Sequence, residues 1–92
     1  MTYPSKRPIT STEWAFLHAL ARLSREQGLP PTLREIGAHL GIASTGHLRA
    51  LHASLALRSL VSAPSGQHRS LRILPAGLAY LQPDAESEAT HG

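Results

Sequence analysis

Along the chain, apolar residues recur with a helical period in three successive stretches and then change to shorter, alternating runs. In the first stretch Trp14, Leu17, Leu20, Ala21 and Ser24 mark one face, and Phe16 and Leu23 widen it. Thr10-Ser11-Thr12-Glu13 stands before it with capping-box spacing, in which the threonine hydroxyl accepts from a free backbone N–H and the glutamate reaches back to the cap. Ile9 is placed to staple onto Trp14, and Gly28 supplies the stop. Pro30-Pro31 then breaks the chain, and Thr32-Leu33-Arg34-Glu35 repeats the capping box. A short second helix follows, offering Leu33, Ile36 and Leu40 to the core and ending at Gly41. Ser44 caps a third, over residues 45 to 58, in which Leu48, Leu51 and Leu55 recur at i, i+3 and i+7. Trp14, Phe16 and the leucines are the expected core.

Leu60-Val61-Ser62-Ala63 and Leu71-Arg72-Ile73-Leu74 flank Pro64-Ser65-Gly66-Gln67-His68-Arg69-Ser70, the layout of a two-stranded hairpin with a basic tip. Pro75 opens a last amphipathic stretch, with Leu78 and Leu81 on one side. The expected architecture is mainly α with a small β-hairpin: a winged helix-turn-helix of three helices, a two-stranded wing and a short C-terminal helix. Residues 1–9, with Pro4 and Pro8, are an expected flexible basic arm, residues 10–82 the domain, and residues 83–92 an acidic, disordered tail.

A helix-turn-helix suggests where chemistry would lie. Its second helix can present a solvent face to base edges in the DNA major groove, which is roughly 12 Å wide and admits one helix. At about 100° per residue, with the leucines inward, the outward face of residues 45–58 carries Gly46, Arg49, Ala50, Ala53 and Leu57. Arg49 is the only long donor there and suits a bidentate contact to guanine. Ser44, Thr45 and His47 stand at the helix start, where hydroxyls and free N–H groups suit a phosphate oxygen. Ala50 and Ala53 permit close approach and suit thymine methyls. Backbone contacts are expected from Arg34, from Ser65, Gly66, Gln67, His68 and Arg69 of the hairpin, and from Lys6 and Arg7 of the arm.

Charge sharpens this reading. All nine Lys and Arg precede residue 83, whereas Asp84, Glu86 and Glu88 lie in the tail, so residues 1–82 carry nine cationic and three anionic side chains, a net of +6. A polyanionic partner is expected, with double-stranded DNA ahead of a membrane surface because no basic amphipathic face with large aromatics occurs.

Residues 9 to 74 resemble the N-terminal DNA-binding domain of LexA-type repressors. The resemblance rests on the Thr10 start, Gly28-Leu29-Pro30-Pro31-Thr32, the Glu35-Ile36 pair, Leu40-Gly41-Ile42-Ala43-Ser44, and then Ser65-Gly66, Arg69 and Leu71-Arg72. It implies that the helix after Ser44 reads an operator through Ser44, Gly46, His47, Arg49 and Ala50, and that a wing spans Ser65 to Arg69. It further implies a bacterial or phage-type repressor in the cytoplasm, associated with the nucleoid, with a homodimer expected on a two-fold operator. LexA proteins continue into a self-cleaving peptidase domain with a Ser–Lys dyad; the only lysine here is Lys6, so self-cleavage is not expected.

Other function classes find little support. Zero cysteines exclude disulfides and thiolate zinc sites. His47 and His52 are five apart, off the spacing of helical metal ligands, and no metal or cofactor is expected. The three acids before the tail, Glu13, Glu26 and Glu35, read as capping or surface charge, so no enzyme and no small-molecule ligand is expected. Ile36 to Leu48, the longest uncharged stretch, is too short and polar to cross a bilayer, and no apolar segment follows Lys6-Arg7 as in a secretory signal. The alternative from another class is a winged helix that docks onto a protein through Leu57 and the last helix, with only non-specific DNA affinity.

Overall fold

The computed structural model describes residues 8–65 and 69–81, which form α1 (Ser11–Gln27), α2 (Leu33–Leu40), α3 (Thr45–Leu57) and α4 (Pro75–Leu81). Both expected capping boxes are present. The Thr10 hydroxyl accepts from Glu13 N–H at 3.0 Å while the Glu13 carboxylate accepts from Thr10 N–H at 2.9 Å. Thr32 and Glu35 repeat the exchange at 3.1 and 2.9 Å. Ser44 caps α3 by accepting from His47 N–H at 3.1 Å. These side chains satisfy N–H groups that have no carbonyl within their own helix, which fixes where each helix starts.

Helix α1 packs against each of the other three, and α2 packs against α3. Phe16, Leu17, Ala19 and Leu20 of α1, Ile36 of α2 and Leu51 and Leu55 of α3 form the core, together with Leu60, Val61 and Leu71 beyond the helices. Two glycines make the α2–α3 pair compact. Gly41 ends α2 at φ 76°, a left-handed conformation that other residues rarely adopt. A Cβ on Gly37 would lie 2.6 Å from Leu48 Cδ1 and 2.7 Å from the Ile42 carbonyl oxygen, so the helices meet closely because that side chain is missing.

Two expectations require correction. Trp14 is not core: it is 43% exposed and stacks on His18 one turn later, with centroids 4.9 Å apart. The inward side of α1 is centred on Phe16, Leu17 and Leu20, and Trp14 falls at its edge. More consequentially, the two-stranded wing is not seen. Among the described residues there is no strand, only an isolated antiparallel bridge between Val61 and Ile73. The winged helix-turn-helix with its small β-hairpin is therefore replaced by a mainly helical architecture.

The physical reason lies in side chains that occupy backbone partners. Ser62 N–H donates to the Arg72 carbonyl at 2.8 Å, but Arg72 N–H donates to Ser62 Oγ at 2.9 Å, where a ladder would place a carbonyl. Ser62 Oγ in turn donates to the Ser70 carbonyl at 3.1 Å. Pro64 has no N–H to offer, and Pro75 opens α4 directly after Leu74. Leu74 N–H donates to the Leu60 carbonyl at 3.0 Å, so the two segments lie side by side without extending into strands.

Candidate nucleic-acid interface

Helix α3 divides its residues sharply. Leu48, Leu51, His52 and Leu55 are buried, whereas Thr45, Gly46, His47, Arg49, Ala50, Ala53 and Leu57 are exposed, as is the cap Ser44. The exposed side is flat around Gly46, Ala50 and Ala53, with Arg49 as its one long donor. No carboxylate belongs to α3. Each acid of the described residues has its own partners: Glu13 caps α1 and accepts from Ser54 Oγ of α3 at 3.1 Å, Glu26 pairs with Arg22 at 2.9 Å, and Glu35 caps α2.

Arg49 stands between two concave surfaces. One, of about 710 Å³, runs between α2 and α3 and is bordered by Arg34, Thr45 and Arg49. The other, of about 610 Å³, separates α3 from the segment after it, with Arg49 and Ala53 on one wall and Ser65 and Ser70 on the opposite one. Arg34 is exposed on α2, and Ser65 Oγ lies 2.9 Å from Ser70 Oγ. The structure thus brings Ser44, Thr45, Gly46, His47, Arg49, Ala50, Ala53, Arg34 and Ser65 to the region of α2, α3 and these clefts. Gly66, Gln67, His68, Lys6 and Arg7 lie outside the described residues, as do the acidic tail and most of the arm.

Arg69, for which the sequence suggests a DNA-backbone contact, has partners within the chain. Its side chain folds back onto the start of α2 as a two-pronged fork, Nη1 donating to Glu35 Oε1 and Nη2 to Glu35 Oε2, both at 3.0 Å. Nη1 also donates to the Pro30 carbonyl at 2.9 Å. The hydrogen bond from Arg69 and then that from Thr32 N–H hold the Glu35 carboxyl below its ordinary 4.5, down to about 2. The same partner raises Arg69 above the usual guanidinium value.

Because the folded chain binds the Glu35 proton more weakly than the unfolded chain, this contribution is fully present above pH 4.5 and is lost as pH falls through about 2. The midpoint of thermal unfolding is expected to fall across that window. Glu35→Gln is expected to flatten the fall, and an equally steep fall in Glu35→Gln would contradict this assignment.

His52, weighed in the sequence only as a metal ligand, is a core residue. Its ring is buried, with Nε2 2.9 Å from the Ser62 carbonyl oxygen and the face stacked on Phe16 at 6.5 Å. The signal existed, since residue 52 follows Leu48 by four and precedes Leu55 by three, which places it on the inward side. Here it ties α3 to the segment after it.

No family model matches the chain. Over 47 residues it is 51% identical to a LexA repressor of Sorangium cellulosum (strain So ce56), an alignment covering 47% of this chain and 20% of that repressor. The chain thus spans about a fifth of the length of the relative it matches, and that similarity supports a LexA-like N-terminal domain.

Proposed function

We propose that the chain is a sequence-specific double-stranded DNA-binding regulator of transcription, a repressor that occupies its operator in the cytoplasm, without enzymatic activity of its own. The observation that carries this is the outward side of α3: small residues, one arginine and no carboxylate, set between two clefts. In this reading Arg49 makes a bidentate contact to guanine, and Gly46, Ala50 and Ala53 let the helix approach the bases. Ser44, Thr45, His47 and Arg34 hold phosphates, which fixes register without reading sequence. Ser65 and, outside the described residues, Gly66, Gln67, His68, Lys6 and Arg7 extend the backbone contacts. The 51% identity to a LexA repressor supports the same reading, and a homodimer on a two-fold operator is its natural extension.

Fluorescence anisotropy of the chain with labelled duplexes across a range of salt tests the proposal. Each phosphate neutralised by Lys or Arg adds about 0.9 to the fall of log K against log salt, so Arg34, Lys6 and Arg7 are expected to give a slope of roughly 3 per bound chain. A favoured duplex should keep its advantage over others at every salt concentration. The 87% exposure of Leu57 favours a second reading, a module that docks onto a protein. That reading predicts weak binding with no preference among duplexes.

A further inference from the structure

The fork between Arg69 and Glu35 joins residues 34 positions apart and ties two elements that border the same cleft. Arg69 sits at φ 55°, where a residue with a Cβ is uncommon and glycine or asparagine is the usual occupant. An arginine at that position therefore carries a backbone cost, which its three hydrogen bonds to Glu35 and Pro30 offset. Its nearest sequence neighbours are engaged in the same segment: the Ser70 carbonyl accepts from Ser62 Oγ, and Arg72 N–H donates to it. The wall of the cleft that faces Arg49 is thus fixed to the N-terminus of α2 through one side chain. Both anchor points are held in place, Glu35 of α2 by the capping box and the Pro30 carbonyl, just before the helix, by the fully buried Pro31 beside it.

We propose that Arg69 is a positioning residue: paired with Glu35, it sets the distance between α3 and the segment carrying Ser65, and so the width of the cleft into which a DNA backbone fits. The inference rests on the DNA-binding reading above and assigns within it a role that a phosphate ligand would not have. Three of the five guanidinium N–H donors, including the pair that would grip an anion in parallel, already have acceptors in Glu35 and Pro30. The pair also makes a prediction opposite in sign to that of net charge. Removing the Glu35 carboxylate from a DNA-binding surface would strengthen binding if charge alone mattered. If the pair sets the cleft, the same change weakens it.

The experiment measures dissociation constants and salt slopes of the full chain and of Glu35→Gln, Arg69→Ala and Arg69→Lys with the duplex the wild type prefers. All measurements lie well below each variant's unfolding midpoint, so a change in stability alone does not move them. Glutamine keeps the capping box, because its amide oxygen can still accept from Thr32 N–H. Glu35→Gln is expected to weaken binding roughly three- to tenfold, inside the range of couplings carried through packed side chains. The salt slope should stay at its wild-type value. Arg69→Ala and Arg69→Lys are expected to weaken binding alike, since lysine keeps the charge but not the fork. Binding by Glu35→Gln as tight as wild type or tighter overturns the proposal. So does a salt slope lowered by about 0.9 in Arg69→Ala and restored in Arg69→Lys, the signature of a phosphate ligand. Should Glu35→Gln fail to fold, the contrast between Arg69→Ala and Arg69→Lys decides alone. Failure of the wild-type chain to bind any duplex would remove the DNA-binding reading and this proposal together, whereas the other results overturn this proposal only.

Discussion

Arg49→Ala is expected to leave the unfolding midpoint nearly unchanged while removing most of the preference for one base step over its alternatives. Arg49 is exposed on α3 and contributes nothing to the core, so its truncation does not disturb the helix packing. A bidentate arginine–guanine contact is worth about 1–3 kcal/mol of discrimination, from roughly fivefold to more than a hundredfold in relative affinity. The loss should be confined to one position of the site. Competition between duplexes differing at single positions reads this directly. An unchanged ranking of duplexes in Arg49→Ala would show that the reading residue lies elsewhere.

Leu55→Ala has the opposite signature, a large effect on stability with no bearing on which residue reads DNA. Leu55 is fully buried where α3 meets Phe16, Leu17 and Leu20 of α1, and its carbonyl also accepts from Leu60 N–H as the chain leaves the helix. Deleting such a side chain removes its transfer free energy and leaves a cavity, at a cost of about 2–5 kcal/mol. A domain of this size has roughly 5–15 kcal/mol in all. The expected outcome is a strongly lowered midpoint in urea with a similar dependence on denaturant, followed by circular dichroism. A shift corresponding to less than about 1 kcal/mol would mean that α3 is packed differently from the arrangement described.

These two substitutions separate what was legible in the sequence from what was not. Helix ends were legible because their causes are local. Thr10 with Glu13, Thr32 with Glu35, and Ser44 each act within one turn, and the spacing of Leu48, Leu51 and Leu55 states which side of α3 faces inward. The exposed set on α3 follows from that periodicity, including the outward position of Leu57. Strand formation was less legible. The alternation around residues 60–74 suggested a hairpin, but whether two segments form a ladder depends on competition for each N–H and carbonyl. Ser62 Oγ wins two of those partners, leaving a single bridge.

The Glu35–Arg69 fork was beyond reach for another reason. Glu35 has a sufficient local explanation as a capping residue, and nothing in residues 69–72 marks the arginine as turned inward. Only the folded chain brings the second carboxylate oxygen within 3.0 Å of Arg69. His52 lies between these cases, since its position on the inward side could be read from the period, but its acceptor at Ser62 could not.

Whether α3 reads a DNA sequence is decided by selection from a random duplex pool at about 0.15 M salt, followed by sequencing of the bound fraction. The expected result is enrichment of a defined motif that contains a guanine whose selection disappears with Arg49→Ala. An inverted repeat within the motif would indicate a dimer, and its half-site spacing would follow from the same data. A bound pool as random as the input, with binding that vanishes as salt rises, would show that α3 reads no sequence and that the charge on this surface acts non-specifically.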